Sequence, residues 1–317
     1  MGSMVAGVWY TDEGIKARPD GEWTRAPSIL RHWITPDGAP GPTGDGGFAA
    51  EAGRYHIYVA PNCPWAHRAL LTIALKNLGA LIAVSFAAPK RTDQGWVFDN
   101  DKGYMDGLFG SHSVHELYSR GADDYTGRVT VPVLWDTKTD RIVSNESADI
   151  VRMLGSAFNH LGANDIDLYP QHLRGEIDAW NERIYRDFNN GVYRAGFSES
   201  QEKYDAAVKT VFETVDALEQ RLENTNYIVG DQLTEVDVRL FPTLARFDVA
   251  YFSAFKCNIR RLTDYPNLWR YARRFFAMDG VKDTVYFDIY RRGYHSQSEK
   301  RNPFGIAPAG PVVDWSL

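Results

Sequence analysis

Hydrophobic and polar positions change their period once along this chain, between Gly155 and Pro170, and that change divides it into two halves. In the first half, short apolar runs of strand length alternate with helix-spaced runs. Tyr55 to Val59 predicts a strand, Pro64 to Asn77 a helix carrying Ala69, Leu70, Ile73 and Ala74 on one side, and Leu81 to Phe86 a second strand. Val131 to Trp135 and Arg141 to Val143 predict two further strands joined by a turn at Thr137 to Asp140. A helix is expected to start after Ser144 or Asn145 and run through Ala148, Ile150 and Val151 to Leu154. Pro132 inside a strand signal requires an edge, a bulge or a cis bond, and we expect the cis form. Between Phe86 and Val131 lies an insertion that reads as irregular.

From Gln171 onward the period is that of helices. Leu173, Ile177, Trp180, Ile184 and Phe188 form one apolar stripe, and Tyr204, Val208, Val211, Val215, Leu218 and Leu222 a second. Thr234 with Asp237 makes a capping box, with Leu233 and Val238 as its staple, and another helix opens at Tyr265, Pro266 and Asn267. The stretch before Arg54 carries Pro36, Pro40, Pro42 and six glycines from Gly38 to Gly53, too broken for regular structure. The expected organisation is therefore an irregular segment 1–53, an α/β thioredoxin-like domain 54–155, an all-helical domain 170–295 and a tail 296–317. Pro303, Pro308 and Pro311 prevent that tail from being one long helix, and it is expected to pack across a domain or a partner subunit.

Cys63 brings chemistry to this frame, because it falls where the first strand breaks into a helix. Pro64 suits the first helical turn, so Cys63 is the N-cap or the residue before it. Unpaired N–H groups and the positive end of the helix dipole then face the sulfur and favour its thiolate. The bland reading of the same residue is a small buried hydrophobe. Ala66 stands three positions on, so the second thiol of a Cys-x-x-Cys pair is absent, and a mixed disulfide on Cys63 needs an external thiol to resolve it. Glutathione is the expected partner. Cys257, among Tyr251, Phe252, Phe255 and Ile259, reads as packing.

Composition narrows the picture further. A formal charge of -6, from 35 basic and 41 acidic residues, offers no general attraction to nucleic acid or to an anionic membrane, and neither partner is expected. Two cysteines far apart give no metal-ligand spacing, so no metal is expected. The most apolar stretch, Ala69 to Ala88, is interrupted by Lys76, Asn77 and Gly79, and neither a membrane span nor a secretory signal follows. We expect a cytoplasmic enzyme.

The segment Tyr58-Val59-Ala60-Pro61-Asn62-Cys63-Pro64-Trp65-Ala66-His67-Arg68, with Val131 to Asp136 and Ser144 to Ile150, resembles the glutathionyl-hydroquinone reductases, the Xi-class glutathione transferases. The likeness covers essentially the whole chain. It implies the glutathione transferase fold, a homodimer, and a Cys63 thiolate that attacks the glutathione sulfur of a glutathionyl-hydroquinone and is released by a second glutathione. Glu146 would then pair with the ammonium of the γ-glutamyl end and Ser147 with its carboxylate, a reading that coexists with a helix cap. Val131 would offer its backbone to the cysteinyl part of glutathione, and Trp96 would line that site. For the hydroquinone, the resemblance implies Tyr193, Tyr251 and Tyr294, each an aromatic face with a hydroxyl; among 17 tyrosines, composition alone could not select them.

Three neighbours of Cys63 have plainer readings. Tyr58 is a strand aromatic rather than an activator of the glutathione thiol, His67 a surface or capping residue rather than a base, and Arg68 either an anion-binding group or a solvated one. Two other functions stay open on the residues alone. One is a broader glutathione-dependent thiol transferase or dehydroascorbate reductase; the other is a non-catalytic binding module in which Cys63 is dispensable.

Overall fold

The computed structural model describes residues 2–11 and 27–317, and these form two compact units, one of residues 2–11 and 27–166 and one of residues 167–317. The first unit is built on a sheet of four strands, β3 (Tyr55–Val59), β4 (Ile82–Phe86), β5 (Val133–Asp136) and β6 (Arg141–Ser144), added to a small hairpin of β1 (Ser3–Val5) and β2 (Val8–Tyr10). The sheet order is β4-β3-β5-β6; β3 runs parallel to β4 and antiparallel to β5, with Tyr58 opposite Val133. All five residues of β3 are buried, as expected of a strand covered on both faces. Helix α1 (Pro64–Leu75) makes the crossover from β3 to β4. The sheet is pinned at one end by Arg54, which donates to both carboxylate oxygens of the buried Asp136 at 2.7 Å.

Three expectations change here. The strand predicted from Val131 begins only at Val133, because Pro132 has no N–H for the ladder; the Val131–Pro132 bond is cis, as expected. The segment before Arg54 is not wholly irregular: Ala6 and Gly7, both at positive φ, turn β1 into β2 in two residues, and Trp9 stacks on His115 at 4.8 Å. Residues 1 and 12–26 of that segment lie outside the described residues. The long insertion contains helix α2 (Val114–Gly121), opened by a capping box of Ser113 and Glu116. Helix α3 (Ser147–Ser156) follows β6 and packs against α1. At the far end of α1 from Cys63, the buried Lys76 ammonium donates to the carbonyls of Asn164 (2.5 Å) and Ile166 (2.7 Å).

The second unit is helical. Helix α4 (Arg174–Arg183) passes through a π-helical turn, Ile184–Asn189, into α5 (Gly191–Gly196), and α6 (Gln201–Arg221) follows. Helix α7 (Glu235–Arg246) opens with the expected Thr234 and Asp237 capping box and leads through a second π-helical turn, Phe247–Tyr251, into the short α8 (Phe252–Ala254). Helices α9 (Pro266–Phe276) and α10 (Phe287–Tyr294) complete it. Of the first predicted stripe, Ile177, Ile184 and Phe188 are buried, but Trp180 is only half-buried and Asn181 takes the inward position, bonded to Glu235 at 2.7 Å. The tail carries no helix. It is anchored by Trp315, which is buried against Phe241, Trp269, Phe276 and Phe287.

Candidate active site

Cys63 is the N-cap of α1, with extended backbone (φ −80°, ψ 117°) and Pro64 next to it. Its carbonyl accepts the His67 N–H at 3.0 Å, which begins the helix, and its own N–H donates to the Ala60 carbonyl at 3.0 Å. The sulfur therefore sits at the helix end where N–H groups lack intrahelical partners and negative charge is favoured. Its residue is 8% exposed, and the thiol donates to the Val131 carbonyl at 3.4 Å. Two positions 68 residues apart in sequence, the helix start and the residue before cis Pro132, thus meet directly.

The start of α3 lies on the same α/β unit. Glu146 is its N-cap, and Oε1 accepts the Ala148 N–H at 3.0 Å, so the capping role is real. The Ser147 hydroxyl, in a buried residue, accepts a hydrogen bond from Arg68 Nη1 at 3.4 Å. Arg68 is thus not a solvated cation: it is buried, with its guanidinium over the Trp65 ring at 4.5 Å. His67 is likewise not a surface residue, being 1% exposed. Both corrections have one cause, since Ala66, His67 and Arg68 are all buried and helical spacing alone does not reveal how wide the covered arc is. Trp96 is buried; its carbonyl accepts the Val114 N–H at 2.8 Å, and Arg91 lies over its ring at 5.2 Å.

Tyr58 is fully buried, and its hydroxyl donates to Asp106 Oδ1 at 2.9 Å. The same carboxylate accepts N–H groups from Leu108, Phe109 and Ser111, so Tyr58 locks a loop. Burial, with the Asp106 charge beside it, pushes the Tyr58 phenol well above its ordinary range.

In the helical unit, the three tyrosines named by resemblance come together from three elements. Tyr193 of α5 and Tyr294 of α10 join hydroxyls at 2.7 Å, and Tyr251, last residue of the second π-helical turn, joins Tyr294 at 3.2 Å. Tyr294 is the middle of this phenolic chain. Tyr251 stacks on Phe255 at 5.3 Å, and its ring stands edge-on to that of Tyr294 at 5.0 Å. Burial raises the Tyr251 and Tyr294 phenols well above the usual range, so they are neutral hydrogen-bond donors near neutral pH. Sequence reasoning missed Arg246, which is fully buried one turn before Tyr251 with its guanidinium 3.7 Å from the Tyr290 ring centre. Cys257 is also fully buried, and burial pushes its thiol up to about 12. Among the described residues, no group of three or more His, Cys, Asp or Glu side chains is arranged to hold a metal ion; nor is any helix among them long and apolar enough to cross a membrane.

Residues 62–157 match the glutathione S-transferase N-terminal domain model and residues 201–274 the C-terminal one. The chain is 47% identical to the glutathionyl-hydroquinone reductase YqjG of Escherichia coli over 99% of this chain and 96% of that protein. The chain belongs to the Xi-class glutathione transferases. Identity to the glutathionyl-hydroquinone reductase PcpF of Sphingobium chlorophenolicum is 41%, covering 98% of this chain and 97% of that one. The glutathione-bound structure of YqjG superposes with a TM-score of 0.92 at 45% identity, covering 100% of this chain and 97% of its own. The Xi-class transferase of Phanerochaete chrysosporium gives 0.88 at 42%, over 95% and 96%. The Xi-class architecture accounts for the order of the two units here, the α/β sheet first and the helical unit second.

Proposed function

We propose that this chain is a glutathionyl-hydroquinone reductase working through Cys63. The observation that carries the reading is a lone cysteine at the start of α1, bonded to the backbone carbonyl that precedes a cis proline, in a family whose named relatives carry this activity. The thiolate attacks the glutathione sulfur of the conjugate: the S–S bond forms as the S–C bond breaks, and the electron pair leaves with the aromatic ring. When the conjugate reacts as its keto tautomer, the ring carbon already holds its proton and the pair arrives on oxygen as a phenolate. A second glutathione thiolate then attacks the mixed disulfide, releasing glutathione disulfide and the Cys63 thiolate. One conjugate and one glutathione give one hydroquinone and one disulfide, and the proton lost by the second glutathione completes the hydroquinone.

On this reading residues 54–155 form the glutathione-binding domain. Glu146 takes the γ-glutamyl ammonium, Ser147 its carboxylate, Val131 the cysteinyl backbone, and Trp96 lines the site. Residues 170–295 form the hydroquinone domain, where Tyr193, Tyr251 and Tyr294 bind the ring and donate to its oxygen. The reading extends to a homodimer in the cytoplasm, whose reducing poise keeps cysteines such as these as thiols; gel filtration with light scattering checks the dimer.

Intact-protein mass spectrometry after mixing with a glutathionyl-hydroquinone tests the proposal. The expected result is a glutathione adduct on Cys63 that added glutathione discharges while hydroquinone appears. Absence of both adduct and hydroquinone overturns it in favour of a binding module. Faster turnover of a glutathione mixed disulfide than of any aromatic conjugate would make the enzyme a general thiol transferase.

A further inference from the structure

The candidate glutathione contacts come from three separate segments, those of Trp96, of Val131 and of Glu146 with Ser147, and each is tied to α2, the helix of the long insertion. The first residue of that helix, Val114, donates its N–H to the Trp96 carbonyl at 2.8 Å. Tyr118, one turn on, is fully buried, and its hydroxyl serves the other two segments. It donates to the Thr130 carbonyl at 3.0 Å, and it accepts the Thr130 N–H at 3.3 Å and Asn145 Nδ2 at 3.1 Å. The Thr130 hydroxyl lies 3.4 Å from the same oxygen. Thr130 directly precedes Val131, and Asn145 directly precedes Glu146. One phenolic oxygen therefore joins the approach to the cis proline to the approach to α3.

The sequence creates the need for such a group. Pro132 has no N–H, β5 begins only at Val133, and Thr130 is left outside the ladder. Its N–H and carbonyl find on Tyr118 what a neighbouring strand would otherwise supply. A phenol has one donor and two acceptor sites, and Tyr118 uses all three on these partners. Burial raises the Tyr118 phenol above its ordinary range, so the hydroxyl stays protonated and keeps its donor through neutral pH. Asn145 is fixed by its backbone as well, its N–H on the Leu30 carbonyl at 3.1 Å and its carbonyl accepting the Ser28 hydroxyl at 3.3 Å. Val131 in turn has its carbonyl on the Cys63 thiol at 3.4 Å.

We propose that Tyr118 is a positioning residue for glutathione: its hydroxyl sets the spacing between the Val131 backbone, which takes the cysteinyl part, and the start of α3, which takes the γ-glutamyl end. This rests on the glutathione-site reading for its ligand, but it can be read without a hydroquinone. Glutathione spans both segments, and a site already spaced for it binds without first having to order two loops. A ligand that reaches only one segment gains nothing from the spacing. Without the hydroxyl, the polar groups of Thr130 and Asn145 lose a buried partner and the two segments shift to find others.

The test uses the full-length protein and two disulfides, that of glutathione and that of cysteinylglycine, which lacks the γ-glutamyl end. The Cys63 thiolate attacks either one, forming a mixed disulfide and expelling one thiolate, and intact-protein mass spectrometry follows the labelling against disulfide concentration. Tyr118→Phe is expected to raise the glutathione disulfide concentration for half-maximal rate on the order of tenfold, with the saturated rate and the iodoacetamide alkylation of Cys63 near wild type. Labelling by the cysteinylglycine disulfide should not change, a split that a general loss of structure would not produce. Asn145→Ala, which removes one donor to the same oxygen, should shift the glutathione disulfide dependence in the same direction by less, and the double variant should fall short of the product of the two shifts. A glutathione disulfide dependence in Tyr118→Phe equal to wild type, or equal losses on both disulfides, overturns the proposal. Should Tyr118→Phe fail to fold, Asn145→Ala decides, and an unchanged dependence there overturns it. A wild type that does not favour glutathione disulfide over the cysteinylglycine one sinks the glutathione-site reading and the proposal with it. A wild type that favours it but releases no hydroquinone sinks the reductase reading alone and leaves Tyr118 in its role.

Discussion

Cys63 and Cys257 are the same side chain, both buried, and they stand in opposite chemical situations. Cys63 caps a helix, with peptide N–H groups behind the sulfur and a carbonyl in front of it. Cys257 lies past the end of the second π-helical turn, its N–H on the Tyr251 carbonyl at 3.1 Å, in a region whose polar chemistry belongs to phenols. If Cys63 reacts as proposed, low exposure does not separate a reactive thiol from an inert one, and the orientation of the nearest peptide groups does. On the function proposed above, the two regions divide the labour, sulfur chemistry in the α/β unit and oxygen chemistry in the helical one.

Exchanging the sulfurs one at a time is the harshest way to break this contrast. Cys63→Ser should reduce hydroquinone release on the order of a thousandfold or more, while Cys257→Ser leaves it near wild type; equal losses would erase the distinction. Alkylation by iodoacetamide sharpens it next. A group whose folded pKa is raised stays protonated until pH passes the raised value, so Cys257, pushed up to about 12, remains a thiol through the range in which an ordinary cysteine ionises. Peptide mapping of native protein at mildly alkaline pH should find Cys63 labelled roughly a thousandfold faster, and Cys257 labelled only after unfolding. Comparable rates would show that the helix start does nothing for Cys63.

The phenolic side offers a milder test. Tyr294→Phe removes both hydroxyl contacts of the chain and should lower kcat about tenfold or more, with little change in the rate at which Cys63 is alkylated. A parallel fall in alkylation would mean that the two regions are not independent. The smallest effect is expected for Cys257→Ala, a loss of about 1 kcal/mol in chemical denaturation without a change in turnover.

The contrast between the cysteines was legible in the sequence, because Pro64 and the apolar spacing after it announce a helix start while Cys257 sits inside an aromatic run. The β3-α1-β4 crossover and the capping box at Thr234 were legible for the same reason, each being fixed by neighbours a few residues away. Helix α2 had its signal in Ser113 and Glu116, but its eight residues were overshadowed by the glycines and polar runs around them. The burial of His67 and Arg68 was not legible, since it depends on partners as distant as Ser147. Arg246 was hidden more deeply. A lone arginine at the end of an amphipathic helix reads as a solvated cation favouring the dipole, and only tertiary packing turns it inward over the Tyr290 ring.

The turn Phe247–Tyr251 has a consequence for how this protein tolerates changes in chain length. A π-helical turn bonds residues five apart where an α-helix bonds residues four apart, so it takes up one extra residue within about one turn and leaves the helix beyond it facing as before. Deleting a single residue there would restore ordinary winding and keep Tyr251 turned toward Tyr294, whereas a residue added within the regular part of α7 would carry it about 100° round the helix axis. Between α7 and α8, the phenolic chain has a built-in allowance for one codon more or less.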